Sequence, residues 1–222
     1  MDDTLFLEES YVRSGFQFVA EWLQSQVDVP ASQTFEFMWS THLRGDRGHI
    51  FDNLLAKYPE EAKGLKPIDL LACYRNHTPV LAFHAGMKEF LNSALSRGLR
   101  LALISDGHLA AQTRKVEALG LAQLAHPILL TDAWGRAFWK PHARAFQTVE
   151  QALGCTGSDL AYLGDNPEKD FQAPNRLGWL TLRLRLSGQI NNLAEPTTRE
   201  AKPSLEFTSV PGLLEWLYSV PL

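Results

Sequence analysis

Residues 99–107, Leu99-Arg100-Leu101-Ala102-Leu103-Ile104-Ser105-Asp106-Gly107, decide how the rest of the chain is read. A short apolar run closing on Ser-Asp-Gly predicts a buried strand over residues 99–104 that delivers polar side chains to a turn at its carboxyl end. Gly98 stops a helix running from Met87 to about Ser96, and after the turn residues 109–119 have helical spacing and stop at Gly120. The cycle repeats: residues 127–131 read as strand, 142–153 as a helix ended by Gly154, 160–163 as strand, and 180–184 as another. Strands alternating with helices of this length imply βαβ units, a parallel sheet and an α/β fold whose functional loops lie at the carboxyl ends of the strands.

Upstream the texture is different. Phe16, Val19, Ala20 and Leu23 recur at helical spacing, as do Phe35, Met38, Trp39 and His42, then Ile50, Phe51, Leu54, Leu55 and Tyr58. Residues 9–77 therefore read as an all-helical unit with breaks near Pro30, 45–48 and 64–67. Downstream, residues 187–202 carry Gly188, Asn191-Asn192 and Pro196 and read as a surface loop, followed by a short terminal helix over 211–218. There is no internal repeat and no low-complexity tract.

The 222 residues are 45% hydrophobic and 21% charged with a formal net charge of -4, which excludes a disordered chain and gives no basic footprint for nucleic acid or anionic lipid. A small-molecule partner is expected, with no nucleic acid and no membrane; nothing in the composition fixes an oligomeric state. Cys73 and Cys155 form neither a CxxC pair nor a zinc spacing with histidines, so both read as reduced thiols. The acidic residues 1–10 lack the order of a signal peptide, and no later run is apolar for the ~18 residues of a span, so a cytoplasmic location is expected.

Four clusters fall where such a sheet places its site: Asp2-Asp3-Thr4-Leu5, Ser105-Asp106-Gly107, Lys140-Pro141 ahead of a helix, and Gly164-Asp165-Asn166-Pro167-Glu168-Lys169-Asp170. They supply carboxylates for a hard cation, a hydroxyl and main-chain amides for phosphate oxygens, and one lysine to neutralise charge. That is a set for phosphoryl transfer. Each cluster alone is an ordinary turn or helix start; their order on these elements is what carries information.

In that order the clusters resemble the four motifs of the haloacid dehalogenase superfamily, over nearly the whole chain. The resemblance implies a Rossmann-like parallel-sheet core, residues 1–8 and 82–222, with an inserted all-helical cap, residues 9–81, that closes over the phosphate site and selects the substrate. It implies Mg2+ as cofactor and a small phosphorylated metabolite as substrate, hydrolysed through an aspartyl-phosphate. By the same likeness Asp2 and Lys140 are catalytic, and Thr4, Ser105, Asp106, Gly107 and Lys140 bind phosphate. Asp2, Asp165 and Asp170 would hold the metal, and Pro141 would sit in the first helical turn. Asp2 as general acid and then base favours a phosphatase over the dehalogenase branch, which lacks an aspartate there. A phosphomutase stands as an alternative.

The first cluster resembles the last four positions of Asp-x-Asp-x-Thr-Leu, so the family's nucleophile would fall two residues before Asp2, immediately ahead of Met1. In a second register Asp2 is itself the nucleophile. Either way the preceding strand, expected between those at 99–104 and 160–163, is not in the sequence. The expectation is a truncated or mis-started enzyme, with a non-catalytic binding descendant as the other reading. Arg13, Arg44 and Arg47 are candidates in the cap for gripping an anion. The tripeptide Arg44-Gly45-Asp46 reads as an interhelix turn, His108 as a turn residue, and the seven histidines offer no metal pair on one helix face.

Overall fold

The computed structural model describes residues 1–221 and divides into two compact units: residues 1–8 together with the chain from Leu81 onward, and Glu9–Val80. The second unit is built from α1 (Glu8–Gln26), α2 (Ala31–Leu43), α3 (Ile50–Lys57) and α4 (Pro67–Asn76). Phe16, Val19, Ala20 and Leu23 on α1 meet Met38, Ile50, Leu54 and Leu70 from the other three helices, so the apolar stripes read from the sequence become one core. Pro30 caps the start of α2, and Asp69 accepts from the Lys66 N–H at 2.9 Å across the first turn of α4.

Among the described residues the first unit holds five strands, paired in parallel, and five α-helices: α5 (Met87–Ser96), β1 (Leu103–Ser105), α6 (Leu109–Ala118), β2 (Ile128–Leu130), α7 (Arg144–Leu153), β3 (Ala161–Gly164), α8 (Gln172–Arg176), β4 (Leu180–Leu184), β5 (Leu205–Phe207) and α9 (Val210–Ser219). The strands form two sheets, β1-β2 and β3-β4-β5, rather than the single sheet the alternation predicts. Leu103 lies opposite Ile128, Ala161 opposite Leu180, and Leu182 opposite Leu205. Beneath them Ile104, Ala145, Phe146, Val149, Leu160, Ala173 and Trp179 form the core. This is the Rossmann-like α/β arrangement expected, and β1 and β3 end at Ser105 and Gly164, where two of the polar clusters begin.

Four details differ from the sequence reading. The strand expected over 99–104 is confined to Leu103–Ser105; Pro127 offers no N–H, so the ladder starts where Leu103 donates to the Pro127 carbonyl at 2.9 Å. Helix α7 starts at Arg144, whose N–H meets His142 Nδ1 at 3.1 Å, so Pro141 lies ahead of the first turn instead of in it. The segment 187–202 has no helix or strand, yet Gln189 and Ala201 are buried, so it is a tethered loop instead of a free surface one. Strand β5 and the short α8 have no counterpart in the sequence pattern: β5 lies at a sheet edge with Leu205 and Glu206 exposed, and α8 contains Pro174.

Candidate active site

The amino-end turn comes first, because it brings three carboxylate and hydroxyl groups inward. Its Thr4 N–H donates to the Asp2 carbonyl at 2.7 Å and the Leu5 N–H to the Met1 carbonyl at 2.9 Å. Asp3 adopts φ 54°, a left-handed conformation that aspartate tolerates when its side chain bonds locally. It does so here: its carboxylate accepts from the Glu8 and Ile190 N–H groups, each at 2.8 Å.

From this turn Asp2 meets α6. One carboxylate oxygen lies 2.5 Å from Lys115 Nζ and the other accepts from Gln112 Nε2 at 2.9 Å. Burial alone would raise the Asp2 carboxyl, but the Lys115 ammonium and these hydrogen bonds outweigh it and hold the group below its ordinary value. Gln112 also accepts from Ser105 Oγ at 2.8 Å. Thr4 donates its hydroxyl to Asp165 at 2.9 Å.

The other clusters converge on Lys140. Its Nζ donates to Asp170 at 2.7 Å and to the Tyr162 hydroxyl at 3.1 Å. Burial opposes its charge, yet Asp170, then Tyr162 and Asp106, keep it well above the ordinary lysine value, so the ammonium persists at all physiological pH. Asp170 turns back to accept from the N–H groups of Asp165 at 3.1 Å and Asn166 at 2.9 Å. Gly164 makes that possible, since a Cβ there would stand 2.6 Å from the Asp170 carboxylate. Burial also works against Asp170, and Lys140 overcomes it, so this carboxyl sits below its usual range. Asp165 goes the other way: burial, with Asp170 beside it, outweighs the Met1 amino group and the Thr4 hydrogen bond and pushes it up to about 6.

Asp106 is buried and points away from the turn it belongs to. It accepts from Thr131 Oγ1 at 2.7 Å and the Lys140 N–H at 3.2 Å, while its other oxygen makes no hydrogen bond and lies 3.5 Å from Lys169 Nζ. Asp2, Ser105, Asp106, Lys140, Asp165 and Asp170 thus share one small cleft of about 60 Å³. Thr4 and Gly107 do not line it, and Asp106 brings a carboxylate, which a phosphate oxygen would avoid. In the helical unit the Arg13 guanidinium lies over Phe35 and Trp39 at 5.5 and 5.2 Å, and Arg44 donates to Thr41 at 3.0 Å.

Among the described residues no three His, Cys, Asp or Glu side chains gather into a metal-holding group. Lys115 pairs with Asp2 and Lys140 with Asp170, while all three expected carboxylates line the same cleft. The donor chemistry nevertheless suits Mg2+. Asp165 and Asp170 are hard oxygen donors on one loop, and Asp165, raised first by burial and then by Asp170 beside it, is a carboxylate whose charged form a cation would favour.

Gln112, Lys115, Tyr162, Thr131, Glu8, Asn191 and Arg183 also build the site, and sequence reasoning does not single them out. Two leave a signal: α6 buries Ala111 and Val116 on one face, and Gln112 and Lys115 interrupt that same face. Asn191 leaves none, because only the folded loop brings its Nδ2 to 3.3 Å from Asp165. The loop is pinned by Arg183, fully buried in β4, which donates to the Asn191, Ala194 and Asp165 carbonyls and to Glu206.

Comparison with known proteins gives three kinds of likeness. A family model described as haloacid dehalogenase-like hydrolase matches residues 1–178. The chain is 28% identical over 205 residues to the glyceraldehyde 3-phosphate phosphatase of Methanocaldococcus jannaschii, covering 88% of this chain and 86% of that one. It is 27% identical over 118 residues to the protein of the same name from Methanopyrus kandleri, spanning about half the length of that relative, 49%. A phosphoserine phosphatase of Thermus thermophilus is 32% identical over 122 residues, 53% of this chain and 44% of the relative. Among solved structures, the 2-haloacid dehalogenase of Pseudomonas syringae superposes with a TM-score of 0.63 at 19% identity, covering 98% of this chain and 95% of the other. A HAD phosphatase from Thermococcus onnurineus gives 0.59 at 17% identity, over 98% and 94% of the two chains. At these identities the superpositions speak for the fold.

Proposed function

The chain belongs to the haloacid dehalogenase-like hydrolase family, and on that premise we propose that it is a magnesium-dependent phosphatase acting on a small phosphomonoester through an aspartyl-phosphate. The observation that carries the reading is the Lys140–Asp170 pair beside Asp165, all facing one cleft with Ser105. A phosphoryl group needs a persistent cation, a hydroxyl donor and carboxylates for a metal, and the cleft offers all three.

In this reading Lys140 screens the phosphoryl charge, and Ser105 turns the hydroxyl hydrogen it gives Gln112 in this structure toward a phosphate oxygen. Asp165, with Asp170 next to it, would hold the magnesium, which supplies charge neutralisation for the transferring group. Asp2 protonates the departing oxygen and then draws a proton from the attacking water. Its carboxylate form in the present structure suits the second task; for the first it takes up a proton against the pull of Lys115 and the Gln112 hydrogen bond. By the resemblance of residues 2–5 to the first motif, the attacking aspartate is placed two residues ahead of Asp2. Relatives named for glyceraldehyde 3-phosphate and phosphoserine support a small phosphorylated metabolite as substrate. Selection among such metabolites is assigned to the helical residues 9–81 as a cap, and the cytoplasm to the enzyme as its location.

The test is release of inorganic phosphate from glyceraldehyde 3-phosphate, phosphoserine and an aryl phosphate, with magnesium or with chelator. Both the 222-residue chain and a version bearing an apolar strand and an aspartate two residues ahead of Asp2 are assayed. Magnesium-dependent release by the extended protein, lost in Asp165→Asn, is the expected result. A folded extended protein that releases phosphate from none of the three overturns the proposal.

A further inference from the structure

We propose that Gln112 and Lys115 on α6 are positioning residues that hold Asp2 and Ser105 as one unit. The functional roles of Asp2 and Ser105 rest on the phosphatase reading above, while the contacts joining them do not.

The geometry is a continuous chain. Lys115 Nζ takes one Asp2 oxygen at 2.5 Å, Gln112 Nε2 takes the other at 2.9 Å, and Gln112 Oε1 accepts from Ser105 Oγ at 2.8 Å. The Gln112 amide is used at both ends, as donor to a carboxylate and acceptor from a hydroxyl, so neither leucine nor glutamate reproduces it. Residues three apart on a helix share a face, so one rigid element sets both contacts to Asp2.

Two further observations argue that this arrangement is not there for packing. Ser105, Gln112 and Lys115 are 2–3% exposed, the latter two on a helix face whose other buried members are Ala111 and Val116. An apolar pair of similar volume is usually as stabilising as a buried ion pair or more so, and stability alone therefore does not account for the choice. Independently, the turn after β1 is shaped around the amide: Gly107 has φ 121°, and a Cβ there would stand 2.8 Å from Gln112 Nε2. The glycine in Ser105-Asp106-Gly107 thus makes room for Gln112.

The consequence is that the group that handles the leaving oxygen and the hydroxyl that faces the phosphate cannot drift independently. Misplacement on the scale of ~1 Å at such a centre costs roughly 100-fold in rate.

The test has two arms. The first needs no turnover: affinity for inorganic phosphate is measured by calorimetry in a double-mutant cycle of Ser105→Ala and Gln112→Leu, with Gln112→Glu standing in if the leucine variant melts abnormally. Ser105→Ala is expected to weaken phosphate by about 10-fold, the loss of one hydrogen bond to a charged group, Gln112→Leu to weaken it by a smaller factor through the unheld Ser105, and the double variant to be no weaker than Ser105→Ala alone. Additive losses, no loss from the Gln112 change, or no phosphate binding by the parent each overturn the relay. The second arm uses turnover of the strand-extended protein. Lys115→Met is expected to lower kcat roughly 10–100-fold with KM nearly unchanged, and Lys115→Arg to recover most of it. A fall confined to melting temperature, or no rescue by arginine, contradicts positioning. If no phosphomonoester is hydrolysed but the phosphate cycle is non-additive, the phosphatase reading fails and the Gln112 link stands. Hydrolysis with an additive cycle leaves the phosphatase reading in place and removes the Gln112 link.

Discussion

Lys140 and Asp170 are each almost fully buried, and each is charged because of the other. Removing one member leaves an uncompensated charge in a low-dielectric cleft, which costs more than the pair contributes. Lys140→Met is therefore expected to destabilise the protein by about 3–5 kcal/mol in urea unfolding, and Lys140→Met/Asp170→Leu by distinctly less. Glu8, half-buried at the start of α1, shows the opposite case. Burial, with Asp2 and Asp3 adding like charge and Lys115 and Lys169 only partly opposing it, lifts its carboxyl from 4.5 to about 7. Between those values the folded protein holds a proton that the unfolded chain has released, so stability falls as pH rises through that window. Glu8→Gln should raise the melting temperature by about 2–4 °C at about pH 8 and hardly at all near about pH 4. An equal shift at both pH values would remove the account of Glu8. At this scale the sequence is legible where a residue's job follows from its place at a strand end: Ser105, Lys140, Asp165 and Asp170 all reach the cleft. Lys115 is not, because its partner Asp2 is 113 positions away and nothing local distinguishes it from a solvated lysine.

The elements that matter most are α6 and β4 with the loop that follows it. Helix α6 is legible almost to the residue, since its spacing and the stop at Gly120 are local signals, but its polar inward face is invisible without the turn it meets. The loop 187–202 reads as polar surface because its composition is that of a loop; Arg183, which ties it down from within β4, looks like any charged residue on a strand. Replacing Arg183 by leucine frees the Asn191 and Ala194 carbonyls together and leaves Glu206 without that partner. The expected outcome is a loss of about 3–5 kcal/mol and faster amide exchange in residues 189–194, with helices of the unit Glu9–Val80 unaffected. Uniform acceleration across both units would show that the loop is not what Arg183 secures.

At the scale of the whole molecule, the change of texture between residues 9–77 and the rest is plain, because helical periodicity and βαβ alternation are different signals. What the pattern does not show is that the strands fall into two sheets, β1-β2 and β3-β4-β5, since pairing is a long-range property. The buried carboxylates of Asp165 and Asp170 on one loop give the folded state a way to gain stability from a cation that the unfolded chain does not bind. Saturating magnesium should raise the melting temperature by about 5–10 °C at ~100 times its dissociation constant, chelator should reverse it, and Asp165→Asn should abolish it. A shift that survives in Asp165→Asn would place the cation elsewhere.

The relatives in sequence are named as phosphatases while dehalogenases are among those alike in fold, and the two chemistries differ in whether a leaving oxygen needs a proton. The measurement that decides between them is phosphate release from a phosphomonoester set against halide release from a 2-haloacid, on the same strand-extended protein, with and without magnesium. Magnesium-dependent phosphate release that collapses in Asp2→Asn, with no halide released, is the predicted result. Halide release independent of magnesium and indifferent to Asp2→Asn would contradict the account.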